Sequence, residues 1–128
     1  MPEQLEIIQM AQSMARHAAA RSAAIARNIA HADTPGYRAV DLPPFSEVYQ
    51  PVQPARLRAT RPGHISQASA ELPRADHAAR PVESPDGNTV ALEIEMMKAI
   101  ESRRAHDRAV AVYGKSLDIL RASLGRIR

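Results

Sequence analysis

Five histidines, His17, His31, His64, His77 and His106, are the side chains best suited to ligate a metal or move a proton near neutral pH. None stands four residues from another and none belongs to an H-E-x-x-H arrangement, so no helix face gathers two of them. The chain has no cysteine, which removes thiolate ligands, disulfides and a cysteine nucleophile. It also lacks a G-x-S-x-G elbow, a P-loop and a G-x-G-x-x-G turn. Half of its 14 acidic residues fall in the two helical regions, where a solvated carboxylate is the ordinary reading. No residue set selects a reaction, so the expectation is a protein that is not an enzyme, with no metal and no other cofactor.

Phosphate binding is the other chemistry to weigh. The chain carries 17 basic residues and a net charge of +3, with a pI of about 9.8. The bases are spread among the acids without a block of like charge. Arg56, Arg58, Arg61 and Arg74 lie in a stretch without interleaved aromatics on which bases would stack. Nucleic acid is therefore not an expected partner, and a basic nucleic-acid-binding helical protein stands as a weak alternative.

With chemistry thin, the elements carry the information. Ile8, Ala11, Ala15, Ala18, Ser22, Ile25 and Ile29 follow a 3-4-3-4 spacing, which predicts a helix with a coiled-coil seam over residues 4–31. Thr34-Pro35-Gly36-Tyr37 must end it. Pro35 lacks a backbone N–H and disfavours helical geometry at Thr34, while Gly36 suits the positive φ of a type II turn. Eight of the ten prolines then fall between Pro43 and Pro85, where no hydrophobic period is sustained. A short strand pair around Val48-Tyr49 and Leu57-Arg58 is the one regular feature expected there. Asp86-Gly87-Asn88-Thr89 supplies a turn, with Asn88 or Thr89 as N-cap of a second helix. A second seam runs through Leu92, Met96, Ala99, Arg103, His106, Val110, Tyr113, Leu117, Leu120 and Leu124.

The expected fold is mainly α. Long N- and C-terminal helices form a coiled-coil-like pair, joined by a Pro-rich irregular middle with a short β-hairpin. The divisions are 1–32 for the first helix, 33–88 for the turn and middle, and 89–128 for the second helix. The private core is poor, with one Phe, no Trp and three Tyr in 128 residues. Alanine buries little area, and burial contributes only about 25 cal/mol per Å². Such a chain is expected to fray alone and to gain stability from neighbours. No apolar run approaches the roughly 20 residues of a membrane span. Met1-Pro2-Glu3-Gln4 lacks the start of a cleaved signal peptide, so residence in the cytosol or export by another route is expected.

Two stretches resemble the bacterial flagellar rod and hook protein family. Asn28, Ile29, Ala30, Ala32, Thr34, Pro35, Gly36 and Tyr37 stand where the family has N-x-A-N-x-x-T-x-G-[YF]. Gly87-Asn88-Thr89-Val90, followed by Leu92, Glu93, Glu95 and Met96, is similar to its G-N-x-V-x-L-E-x-E-M segment. Asp33 and Pro35, with Arg38 and Asp41 after them, favour the short proximal-rod type. His31 departs from the usual asparagine and Ala91 from a frequent aspartate.

The resemblance implies a structural subunit of the basal-body rod, the drive shaft crossing the periplasm. It implies export through the flagellar type III gate without a cleaved signal peptide. The implied partners are further copies of the chain in a helical rod, other rod proteins and the rod-base adaptor. The assembly seam would comprise Ile8, Ala15, Ile25, Ile29, Leu92, Met96, Val110, Tyr113, Leu117, Leu120 and Leu124. The turn Thr34-Pro35-Gly36-Tyr37 would fix where the chain leaves the helical layer. The alternative is a small cytosolic helical hairpin acting as an adaptor or export chaperone.

Overall fold

The computed structural model describes residues 2–49, 76–77 and 84–125. Helix α1 spans Pro2–Ala30 and helix α3 spans Leu92–Ser123. Between them lie strand β1 (Val40–Asp41), the short helix α2 (Phe45–Val48) and strand β2 (Asp76–His77). The two long helices run about 43 and 48 Å at 1.5 Å per residue and pack along one another. They are antiparallel, because Ser22 of α1 bonds Ser102 of α3 while Asn28, one and a half turns later, bonds Glu95, two turns earlier.

The packed face of α1 follows a seven-residue repeat, with Ala11, Ala18 and Ile25 buried. So does that of α3, but its buried residues are Glu95, Ser102, Ala109 and Ser116. Small and polar side chains thus line the helix–helix contact. The larger apolar residues of α3, including Leu92, Met96, Met97 and Ile100, are exposed. The inner face is rotated by about one position from the stripe of Leu92, Met96 and Val110. Small residues permit a closer backbone approach, and the serines satisfy backbone or each other's groups, so this inner face is stable without bulk.

Two local expectations are corrected. Val48 is helical rather than extended: Pro43 and Pro44 lead into the single turn of α2, closed by the bond from Tyr49 N–H to Phe45 C=O at 2.8 Å. The strand that does form is β1, which pairs antiparallel with β2 in the register Val40↔His77 and Asp41↔Asp76. Leu57 and Arg58 lie outside the described residues. The N-cap of α3 is Ala91, which provides no side-chain cap. Asn88 and Thr89 do not cap α3 because their side chains are engaged elsewhere, as described next.

Among the described residues, no helix is long and apolar enough to cross a membrane.

Candidate functional site

The turn at the end of α1 forms as its residues require. Gly36 has φ of 70°, in the left-handed region that favours glycine. Tyr37 N–H donates to Thr34 C=O at 3.3 Å and closes the four-residue turn. Asn88, from 57 residues further along, reaches the segment just past the helix end: its Nδ2 lies 3.0, 2.7 and 2.9 Å from the carbonyl oxygens of His31, Ala32 and Thr34. The carbonyls of His31 and Thr34 also accept from the N–H groups of Thr34 and Tyr37, so Asn88 adds to the turn's own bonds. An amide NH2 has two hydrogens, so one of the three contacts is shared. Asn88 Oδ1 accepts from Val90 N–H at 2.8 Å, and the side chain is 2 % exposed.

The backbone around Asn88 holds the turn as well. Gly36 N–H donates to Asp86 C=O at 3.1 Å and Thr89 N–H to Tyr37 C=O at 3.0 Å. Ala39 N–H donates to Thr89 Oγ1 at 2.8 Å. The exit from α1 is therefore laced to the approach to α3.

Asn28 sits beneath this lacing, fully buried. Its Nδ2 donates to Val40 C=O at 2.8 Å and to Glu95 Oε2 at 2.9 Å. Its Oδ1 accepts from Val40 N–H at 3.1 Å and from Tyr37 OH at 3.3 Å. Both donors and both acceptor sites are used. Towards Val40 the side-chain amide behaves like one more peptide group beside the strand, taking both of that residue's backbone groups.

Glu95, 2 % exposed, passes the network on to charged groups. Lys98 Nζ donates to Glu95 Oε1 at 2.9 Å and lies 3.1 Å from Asp41 Oδ2. Arg21 Nε donates to Asp41 Oδ1 at 3.1 Å, and that oxygen also accepts from Leu42 N–H at 2.8 Å. Burial alone would push the Asp41 carboxyl up, but the bonds from Arg21 and Lys98 outweigh it and hold its pKa below the ordinary value. Burial would likewise push Lys98 down, and Glu95 and Asp41 outweigh it, so the ammonium is held above its ordinary value. Alternating charges, each bonded to the next, are the arrangement in which partly buried ions are tolerated.

Further along the contact, Ser102 Oγ donates to Ala18 C=O at 2.9 Å. A hydroxyl has one hydrogen, so in the 2.9 Å Ser22–Ser102 contact Ser22 is the donor. His17 Nε2 donates to Pro43 C=O at 2.9 Å, with Phe45 edge-on at 5.6 Å, pinning the start of α2 to α1. His31 stacks on Tyr37 at 4.6 Å and its Nδ1 lies 3.2 Å from Thr34 Oγ1. The imidazole standing in place of the usual amide thus stays within the turn, while its backbone carbonyl serves Asn88.

The residues singled out from sequence fall into three groups. Asn28 is at the centre of the network and Tyr37 at its edge. Thr34 and Gly36 take part through their backbones, whereas the side chains of Ile29, Ala30, Asp33 and Pro35 face solvent. Of the seam, Ile25 is buried, and Ile8, Ala15, Tyr113, Leu117 and Leu120 are half-buried. Leu92, Met96, Val110 and Leu124 are exposed. Of the network's other members, sequence reasoning named Asn88 as a cap candidate and Glu95 and Asp41 within the resemblance, and joined none of them into a network. Glu95–Lys98 reads from sequence as an ordinary surface pair, and Ser102 not at all. The missed signal was the seven-residue recurrence of Glu95, Ser102, Ala109 and Ser116 beside the more conspicuous apolar stripe.

The site has no reactive geometry: its polar groups are paired with one another. Among the described residues no group of three or more His, Asp or Glu side chains is placed to hold a metal. What the arrangement does is mechanical, tying helix end, exit segment and second helix together.

No protein-family model matches the chain. Two relatives do. The chain is 31% identical to the flagellar basal body rod protein FlgB of Agrobacterium fabrum over 111 residues, covering 80% of this chain and 81% of that protein. It is 32% identical to the FlgB of Salmonella typhimurium over 108 residues, covering 77% and 78%. With such identity across most of both lengths, and two long helices in antiparallel contact, the chain belongs to the FlgB family of flagellar basal body rod proteins.

Proposed function

We propose that the protein is a structural subunit of the proximal rod, the shaft that carries torque across the periplasm. In this reading it leaves the cytoplasm through the flagellar type III gate. It then packs its helices against further copies, neighbouring rod proteins and the rod-base adaptor. The observation that carries the reading is the clamp itself. The two stretches resembling the rod and hook family, 57 residues apart at Asn88 and His31, close on each other in one hydrogen-bonded unit. A subunit that carries torque needs such a joint, because a chain leaving a helix at an undefined angle transmits none. The exposed apolar residues of α3 further support a role in assembly, since patches of this kind mark interaction surfaces.

The test is to delete the gene in its host, restore it with an epitope-tagged copy, and purify basal bodies. Loss of the external filament on deletion, and the tagged chain in the purified basal bodies, are expected. A tagged chain that restores swimming but remains in the cytoplasm would overturn the rod reading in favour of an adaptor.

A further inference from the structure

Helix α3 is divided along its outer side. Between Leu92 and Glu101 it exposes Leu92, Met96, Met97 and Ile100, and its outward charges there are the acids Glu93 and Glu101. Between Arg103 and Arg121 its outward charges are five bases and two acids. In this basic half an open, mainly apolar groove of about 170 Å³ lies between the helices, lined by Ala11, Gln12, Ala15, Ala109, Val110 and Tyr113. Gly114, one turn beyond Val110, has open space where a Cβ would stand.

The acidic apolar ridge and the α3 wall of the basic apolar groove occur along one continuous helix. Met96 and Val110 are fourteen residues apart, about 21 Å, so a chain cannot fill its own groove with its own ridge. Resting on the rod reading, we propose that the ridge at Met96 and Ile100 docks into the groove at Val110 and Gly114 of a second copy. The two α3 helices run parallel and staggered by fourteen residues. That single shift sets Met96 against Val110 and Ile100 against Gly114, large side chain against open space in each pair. It also brings Glu101 level with the neighbour's Lys115 and Arg104 level with its Asp118, opposite charges that favour this partner, while Glu93 comes level with the acid Asp107.

The antiparallel pairing that would also match Met96 with Val110 is centred on residue 103. It faces the two exposed Arg103 side chains to one another and is disfavoured by their like charge. The staggered contact leaves a free groove at one end and a free ridge at the other, so it is heterologous and does not close.

The experiment uses two full-length variants, Met96→Glu on the ridge and Val110→Glu in the groove. Both positions are exposed, so the hairpin is expected to fold, as circular dichroism and denaturant unfolding will check. By analytical ultracentrifugation the wild type is expected to grow past two copies as concentration rises. Each variant alone should associate about ten-fold or more weakly, because an unpaired carboxylate would be buried. Mixed together, the two variants retain one good ridge and one good groove, and should form a 1:1 pair that grows no further. A wild type that stays monomeric or stops at two copies overturns the proposal, as does a mixture that stays monomeric or variants that associate like wild type. Basal-body purification separates this from the rod reading. Both variants present at wild-type level would sink only the docking surface, whereas a wild type absent from basal bodies would sink the rod reading too.

Discussion

At one end of the hairpin, Asn28, Glu95, Lys98, Asp41 and Arg21 form a continuous set of hydrogen bonds, and Asn88 beside them holds the exit segment, so both helices are joined to it. About 20 Å along the same helices, Ala11 and Ala109 lie beside an open groove. There, among the described residues, the buried Ser116 bonds only to Val112 of its own helix. The first end is directional: each side chain accepts one geometry and fixes the register of α1 on α3. The second offers small surfaces with little to hold them in one place. Fraying of an isolated chain is thus expected from the distal end inwards, with the clamp as the last part to open. A subunit built this way arrives with one joint made and one face available.

The contrast should be broken most strongly by Asn28→Ala. The variant leaves both backbone groups of Val40, the Tyr37 hydroxyl and a buried Glu95 oxygen without their partner. An unsatisfied buried group costs about 1–3 kcal/mol, and several are involved, so a loss of about 3 kcal/mol or more is expected. Ser116→Ala, at the other end, should change stability by no more than about 0.5 kcal/mol, since a bond to the preceding turn of the same helix adds little. Urea unfolding of the full chain measures both. Equal losses would mean that the two ends are not held differently.

Gly36→Val comes next. Nothing within 4 Å would meet the new Cβ, so the cost is conformational rather than steric crowding by neighbours. A left-handed conformation costs an ordinary L-residue roughly 1–2 kcal/mol, and a β-branched one sits at the upper end. Expression should survive while rod assembly and swimming fail, because the turn sets the exit direction. Normal swimming spread on soft agar would show that the turn geometry is not required.

The ionic part of the clamp gives the comparison a pH axis. Asp41 titrates lower in the folded chain, so its contribution is complete above about pH 4, the ordinary carboxylate value, and is lost as pH falls through its depressed value. Lys98 titrates higher when folded. Its contribution is complete below about pH 10 and is lost as pH rises through the raised value. The clamp's ion chain should therefore hold a plateau between those limits. Lys98→Met should remove the alkaline limb that this group causes, and an unchanged alkaline limb in unfolding curves would assign it to other groups.

Much of this was legible in the sequence, but unevenly. Pro35 and Gly36 announce the helix stop because their backbone chemistry is local. The two helices follow from their periods. The clamp was not legible in the same way, since the link from Asn88 to His31 spans 57 residues and no local rule places them together. Asn88 next to a helix start has the signature of an N-cap, and its actual work at the end of the other helix depends on the antiparallel pairing. The apolar stripe of α3 was readable as a stripe, yet its direction was not. Leu92 and Met96 point away from α1 because Glu95 and Ser102 have partners on it and the larger side chains do not.

The smallest effect sharpens the account of the open end. Gly114 lies within α3 at negative φ, with no atom near the position of an added Cβ. Glycine costs about 1 kcal/mol relative to alanine in a helix interior, so Gly114→Ala should stabilise the isolated chain by up to about that amount, read as a higher urea midpoint. If the glycine serves only the chain's own fold, the gain carries no penalty and assembly is untouched. If it receives a side chain from a neighbouring copy, alanine still fits, but Gly114→Leu should weaken association while leaving the monomer folded. A Gly114→Leu variant that associates like wild type would place no neighbour at that position. The open end of the hairpin would then be a weakness of the fold rather than a place kept clear for assembly.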